Sequence, residues 1–216
     1  MQMATLHLKQ VCVEPPPSAL NVTLPAFAAE QSSNYKYAQA IRHIRHLLTT
    51  ELAKTLACSL ILSRINYCNA ALHGAPSYSI KKLQLVQNNA ARIVLEVPRR
   101  SDASPLLRTL QWLPVQQRID YKVALLTFKV RSTSTPSYLR LIIRDREHGR
   151  NPRSTTTALC QPFTTTTFAK RAFRCSAPAV WNSLPKTALN SDSVAAFKSR
   201  LKTFLFSQAF SSFSAH

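Results

Sequence analysis

Glycine is almost missing from this chain. The 216 residues hold only two, Gly74 and Gly149, where average usage would give about fifteen. That scarcity excludes a P-loop and a dinucleotide-binding fingerprint, both of which need several glycines. It also disfavours tight hairpins and points to helices joined by turns that the 13 prolines punctuate. Acids are the second shortage: 9 Asp+Glu stand against 28 Lys+Arg, for a net charge of +19. Charged residues are only 17% of the chain, below the usual ~25%, so the basic excess comes mainly from missing carboxylates. No apolar run approaches the ~20 residues of a membrane span. No C-x-x-C pair occurs among the five cysteines, Cys12, Cys58, Cys68, Cys160 and Cys175.

Each shortage narrows the function. Widely spaced cysteines in odd number give neither a disulfide framework nor a zinc site. His43, His46 and His73 could join Cys58 and Cys68 around a metal, but structural zinc draws on closely spaced ligand pairs. The expectation is reduced thiols, no cofactor, and an intracellular chain of nucleus or cytoplasm. A cation-rich, acid-poor surface attracts polyanions. Nucleic acid is the commonest of these inside a cell, with anionic membrane the lesser alternative. A two-metal polymerase or nuclease needs clustered carboxylates, and here Asp145 and Glu147 are the one close pair, set among arginines that neutralise them. Cys68 and His73, five apart, are weak evidence for a nucleophile pair, since such sites are defined by geometry. Residue logic predicts no catalytic residues and no small-molecule substrate.

What is present is helical patterning. Hydrophobic residues make up 45% of the chain, enough for a core. Residues 1–33 begin with a segment lacking the continuous apolar stretch of a signal peptide, are broken by "EPPPSAL", and read as a poorly ordered lead. From Asn34, Tyr37, Ile41, Ile44 and Leu48 recur at helical spacing, leaving Arg42, His43, Arg45 and His46 largely off that face. Thr49 or Thr50 caps a helix striped by Leu52, Leu56, Leu60 and Ile61. Ser77 or Ser79 starts the clearest helix, with Ile80, Leu83, Val86 or Gln87, Ala90, Ile93 or Val94, and Val97 inward. Pro114 opens another, striped by Val115, Ile119, Val123, Leu126 and Val130.

The remainder divides in two. Residues 144–170 are rich in threonine and arginine. They read as a basic connector without a packed face, containing at most one short strand pair. In residues 171–216, Ser176 is expected to cap a short helix carrying Trp181, a core anchor. A capped basic helix follows, with Val194, Phe197, Leu201 and Phe204 or Leu205 inward. The predicted fold is therefore mainly α: a bundle-like array in which residues 34–143 form the first helical region.

Three segments carry a family likeness: "SRINYCNAALHGAPSYSIKKLQLVQNNAARIV" (63–94), "LLRTLQWLPVQQRIDYKVALLTFKV" (106–130) and "RAFRCSAPAVWNSLPKTALNSDSVAAFKSRLKTFLF" (171–206). They resemble the C-terminal, post-palm part of LINE-type non-LTR retrotransposon reverse transcriptases of the jockey-like group, in that family's order. The resemblance implies thumb-like and connecting helices beside a template–primer duplex. The family's paired catalytic aspartates have no counterpart here, nor do its fingers, palm or endonuclease. The implied protein is a non-catalytic remnant of an RNA-directed DNA polymerase that binds RNA or DNA through phosphates. An intact retroelement protein is a second implied partner, and a protein-interaction fragment or a functionless product is the alternative reading. By charge and exposed helical placement the candidate phosphate contacts are Arg42, Arg45, Lys81, Lys82, Arg92, Lys198, Arg200 and Lys202, with Arg99 and Arg100 in a loop.

Overall fold

The computed structural model describes residues 23–67, 69–146 and 158–211. The expectations for residues 1–22, Cys68, 147–157 and 212–216 lie outside that range. The described chain is mainly α-helical: α1 (Thr23–Ile44), α2 (Thr50–Ala57), α3 (Ser63–Asn66), α4 (Ser77–Val94), α5 (Ala103–Thr109), α6 (Val115–Thr133), α7 (Ser137–Ile142), α8 (Phe173–Asn182), α9 (Lys186–Leu189) and α10 (Val194–Phe210). The predicted lead thus gives way to helix at Thr23, well before Asn34. Pro25 lies in the first turn, where a missing N–H costs no helical bond.

Two hydrophobic clusters organise the array. The first gathers Ala38 and Ile41 of α1, Ala53 and Ala57 of α2, Leu83, Ala90 and Val94 of α4, Leu107 of α5, Trp112, and Val115 and Ile119 at the start of α6. The second gathers Val123, Ala124, Phe128 and Val130 further along α6 with Trp181 of α8 and Phe197, Leu201 and Leu205 of α10. Helix α6 therefore runs through both clusters, with its expected stripe buried apart from the partly covered Leu126. Helix α10 also bridges them, because Phe210 at its end belongs to the first cluster. Trp181 is the core anchor the sequence suggests. Its ring lies 6.0 Å from Phe197, which stacks on Phe128 at 4.2 Å.

With so little glycine, other residues take the left-handed positions that end helices. Glu96 (φ 54°) follows α4 and Gln111 (φ 56°) follows α5. Both sit in Schellman closures. Val97 N–H donates to Arg92 O and Glu96 N–H to Ile93 O, while Trp112 N–H donates to Leu107 O and Gln111 N–H to Arg108 O. Gly74 is used where a positive φ (69°) favours it, and an added Cβ would also stand a tight 3.1 Å from Arg171 Cγ, which would have to give way.

Several expectations are corrected. From residue 34 on, the buried face of α1 is Asn34, Ala38 and Ile41, continued by Arg45; of the expected stripe, Ile41 is buried, Tyr37 and Leu48 pack partly buried on the same cluster, and Ile44 is exposed. The α-helix ends at Ile44 and tightens into a 3-10 turn, Arg45–Leu47, which carries Arg45 inward in place of Ile44. Between α2 and α3 lies a π-helical turn, Cys58–Leu62. Ala53, Ala57, Ile61, Leu62 and Ile65 are buried, Leu56 and Leu60 of the expected stripe pack partly buried against the same cluster, and Leu52 is exposed. Ser176 does not cap α8. It is buried inside that helix, which starts at Phe173 after Ala172. Neither Ser77 nor Ser79 caps α4, whose N-cap position is Pro76.

The connector also departs from its reading. Instead of a strand pair, one antiparallel bridge joins Asp145 and Leu159 among the described residues. Nor does the connector lack a packed face, because Leu159 is buried in the second cluster. The Asn182 side chain fastens it there as a neighbouring strand would. Oδ1 accepts from Leu159 N–H and Nδ2 donates to Leu159 O, both at 2.9 Å.

Candidate nucleic-acid interface

The ten predicted cations fall into distinct settings. Lys81 and Lys82 are exposed on the first turns of α4, with the Lys82 ammonium 5.0 Å from the Tyr78 ring centroid. Lys198 and Lys202 are exposed one turn apart on α10, four residues being the spacing of neighbours on one helical face. Arg99 and Arg100 are exposed in the turn after α4. Arg42 is exposed on α1, and its Nη2 donates to Asn89 Oδ1 of α4 at 3.1 Å.

Three of the ten serve the fold instead of a surface. Arg45 is buried at 7% exposure. Its Nε and Nη2 donate to Val94 O at 3.1 and 2.8 Å, its Nη1 to Leu48 O at 2.6 Å, and its Nη2 to Thr50 Oγ1 at 3.2 Å. Glu96 Oε2 adds an ion pair at 3.6 Å. The expectation of an exposed Arg45 is therefore corrected: its guanidinium satisfies carbonyls at the ends of two elements, which is why the sequence spends a core position on a cation. Arg92 is half-buried, and its Nε donates to Ser101 O at 3.0 Å, closing the loop after α4. Arg200 is exposed but committed. Its Nη1 donates to Thr187 O and Asn190 O, both at 3.0 Å, tying α10 to the end of α9.

Carboxylates answer few of these charges. Among the described residues the ion pairs are Arg45 with Glu96, and Arg131 and Arg140 with Asp145. Lys81, Lys82, Arg99, Arg100, Lys198 and Lys202 thus stand exposed with no ion pair among the described residues.

The structure adds residues that sequence reasoning passed over. Tyr78, Lys82, Leu85 or Val86, and Asn89 recur at helical spacing along one flank of α4. Leu85, Val86 and Asn89 of that flank line a recess of ≈ 200 Å³ together with Asn34, Tyr35 and Ala38 of α1, and Tyr78 and Lys82 lie one to two turns before it on α4. Tyr35 and Leu85 are 53% and 64% exposed. The signal lay in that second stripe of α4, beside the core stripe, but it gains meaning only once α1 is known to lie against it.

A separate polar cluster lies where α6 meets the π-turn and the 3-10 turn Asn69–Leu72. Arg118 donates from Nε to Leu113 O at 2.7 Å and from Nη1 to Asn66 Oδ1 at 3.2 Å. Burial lowers its pKa from the ordinary arginine value, with the Cys58 charge opposing. Burial raises the Cys58 thiol, with Arg118, Lys54 and a Trp112 hydrogen bond opposing, so the thiolate a nucleophile needs is disfavoured. Burial also raises Asp120, against His73 and the Gln116 hydrogen bond. The cluster buttresses the helix start.

Comparison of the chain with protein-family models, with curated proteins and with solved structures yields no match.

Proposed function

We propose that this chain binds nucleic acid through backbone phosphates without reading sequence, as a non-catalytic relative of the post-palm region of LINE-type reverse transcriptases. The observation that carries the reading is the surplus of exposed cations without carboxylate partners among the described residues: Lys81 and Lys82 on α4, Arg99 and Arg100 beyond it, and Lys198 and Lys202 on α10. A net charge of +19 supports it, as does the likeness of residues 63–94, 106–130 and 171–206 to that family. Phosphate contacts of this kind release counterions, so affinity falls linearly with salt on logarithmic axes.

The test is binding of the purified chain to an RNA–DNA duplex across a salt series. A slope of several charges is expected, reduced by about one for each cation removed. Lys81→Glu with Lys82→Glu is expected to weaken binding. A folded sample that binds nothing at low salt overturns the reading.

One observation favours a second reading, a protein partner such as an intact retroelement protein. Leu141 of α7 and Phe163 are 80% and 91% exposed, and exposed apolar side chains mark an interaction site where they form one contiguous patch. Association that persists at high salt would favour this reading over the first.

A further inference from the structure

We infer that the recess between α1 and α4 takes one unstacked base of a single strand, so that the chain prefers single-stranded nucleic acid to duplex. The inference rests on the nucleic-acid reading above and names which form of the polymer the surface selects.

The two helices run parallel. Asn34 and Ala38 stand beside Leu85 and Val86, Arg42 reaches Asn89, and Arg45 reaches Val94. Between them the recess of ≈ 200 Å³ is walled by the open side chains of Tyr35 and Leu85. The Tyr35 ring is held in place, because Gln39 Nε2 donates to its phenol oxygen at 2.8 Å, one turn along α1. A fixed, exposed aromatic ring is a stacking platform for a base face, and only an unpaired base can present its face to a protein.

Charge brackets the recess. Lys82 lies at one end of the α4 flank, over Tyr78, and Arg42 lies at the other, bonded to Asn89. At ~1.5 Å rise per residue, Lys82 and Asn89 are roughly 10 Å apart along α4. Two cations flanking an aromatic-walled recess match a single strand, whose phosphates run past a base turned inward. The third observation is polar. Asn34, 2% exposed, lines the recess, and its Oδ1 is buried without a hydrogen-bond partner among the described residues. A buried acceptor lacking a donor is an unfavourable state, and a turn of the Asn34 amide into the recess would offer that oxygen to the exocyclic amine of a base.

The experiment measures anisotropy of the full chain with labelled oligo(dC), oligo(rC) and a duplex of equal phosphate count at matched salt. Both single strands are expected to bind more tightly than the duplex. Tyr35→Ala is expected to weaken the single strands about tenfold and leave the duplex unchanged. Tyr35→Phe, which keeps the ring, should retain single-strand affinity, and circular dichroism with thermal melting verifies that each variant is folded. Equal affinity for single strand and duplex, or a preference that survives Tyr35→Ala, overturns the inference and leaves phosphate binding standing. Absence of binding to every probe at low salt overturns the underlying reading, and this inference with it.

Discussion

Arg45 grips the carbonyl oxygen of Val94 with two guanidinium nitrogens, at 3.1 and 2.8 Å, joining the end of α1 to the last residue of α4. Hydrogen bonds from a charged donor contribute more than neutral ones, and a buried carbonyl left without its donor costs more still. Arg45→Ala should lower stability by about 2–3 kcal/mol, read as a shift of the urea midpoint. Arg45→Lys should recover little, because an ammonium cannot reproduce the planar fork.

Arg200 separates fold from surface within one helix. Its guanidinium is engaged by Thr187 O and Asn190 O, whereas Lys198 and Lys202 point outward without ion pairs among the described residues. Lys198→Ala with Lys202→Ala should flatten the salt dependence of nucleic-acid binding by about two charges, with stability nearly unchanged. Arg200→Ala should do the reverse, with a loss of about 1 kcal/mol.

Much of this division is legible in the sequence, and the failures have physical causes. The stripe of α6 and the anchor role of Trp181 are legible because apolar period and burial agree there. Arg45 is misplaced by sequence reasoning because charge predicts exposure unless a partner is known. Its partner carbonyl lies 49 residues away. The face of α2 is read one position early at its start, because the buried positions there are the small Ala53 and Ala57 while the larger Leu52 is exposed. The cations Lys81, Lys82, Lys198 and Lys202 are legible from composition and phase. Tyr35 and Leu85 are not, since their pairing depends on two helices docking side by side.

Asn182 pairs its amide with both backbone groups of Leu159 at 2.9 Å. Asn182→Ala should release the segment around Leu159, at a cost of about 1–2 kcal/mol. Faster amide exchange at Leu159, with α6 still protected, is the expected signature. Asn182→Asp keeps an acceptor but loses the donor, so it should not restore protection.

Gln111 holds a positive φ of 56° on the surface after α5. A side chain in that conformation costs roughly 1 kcal/mol relative to glycine. Gln111→Gly should therefore stabilise the protein by up to about 1 kcal/mol, part of the gain being offset by the freer unfolded chain. Thermal unfolding under matched conditions measures it.

Asp120 carries a carboxyl whose pKa burial raises above its ordinary 3.8. A group with a raised folded pKa contributes stability that is fully present below the unfolded value and lost as pH rises through the folded one. Asp120→Asn removes that titration. Relative to the parent chain it should gain stability at neutral pH, and the gain should shrink toward zero as pH falls to the ordinary aspartate range. Denaturant melts at several pH values test the sign.

Phe210 closes a cluster whose other buried members fall between Ala38 and Ile119. During synthesis, the helices that make up most of the first core leave the ribosome long before the residue that seals it. Leu201 and Leu205, needed by the second core, arrive just as late. Neither core can close before α10 has emerged, so apolar faces of the earlier helices stay uncovered until it does. Apolar surface left open in that interval is a site for aggregation, the hazard that chaperones exist to limit.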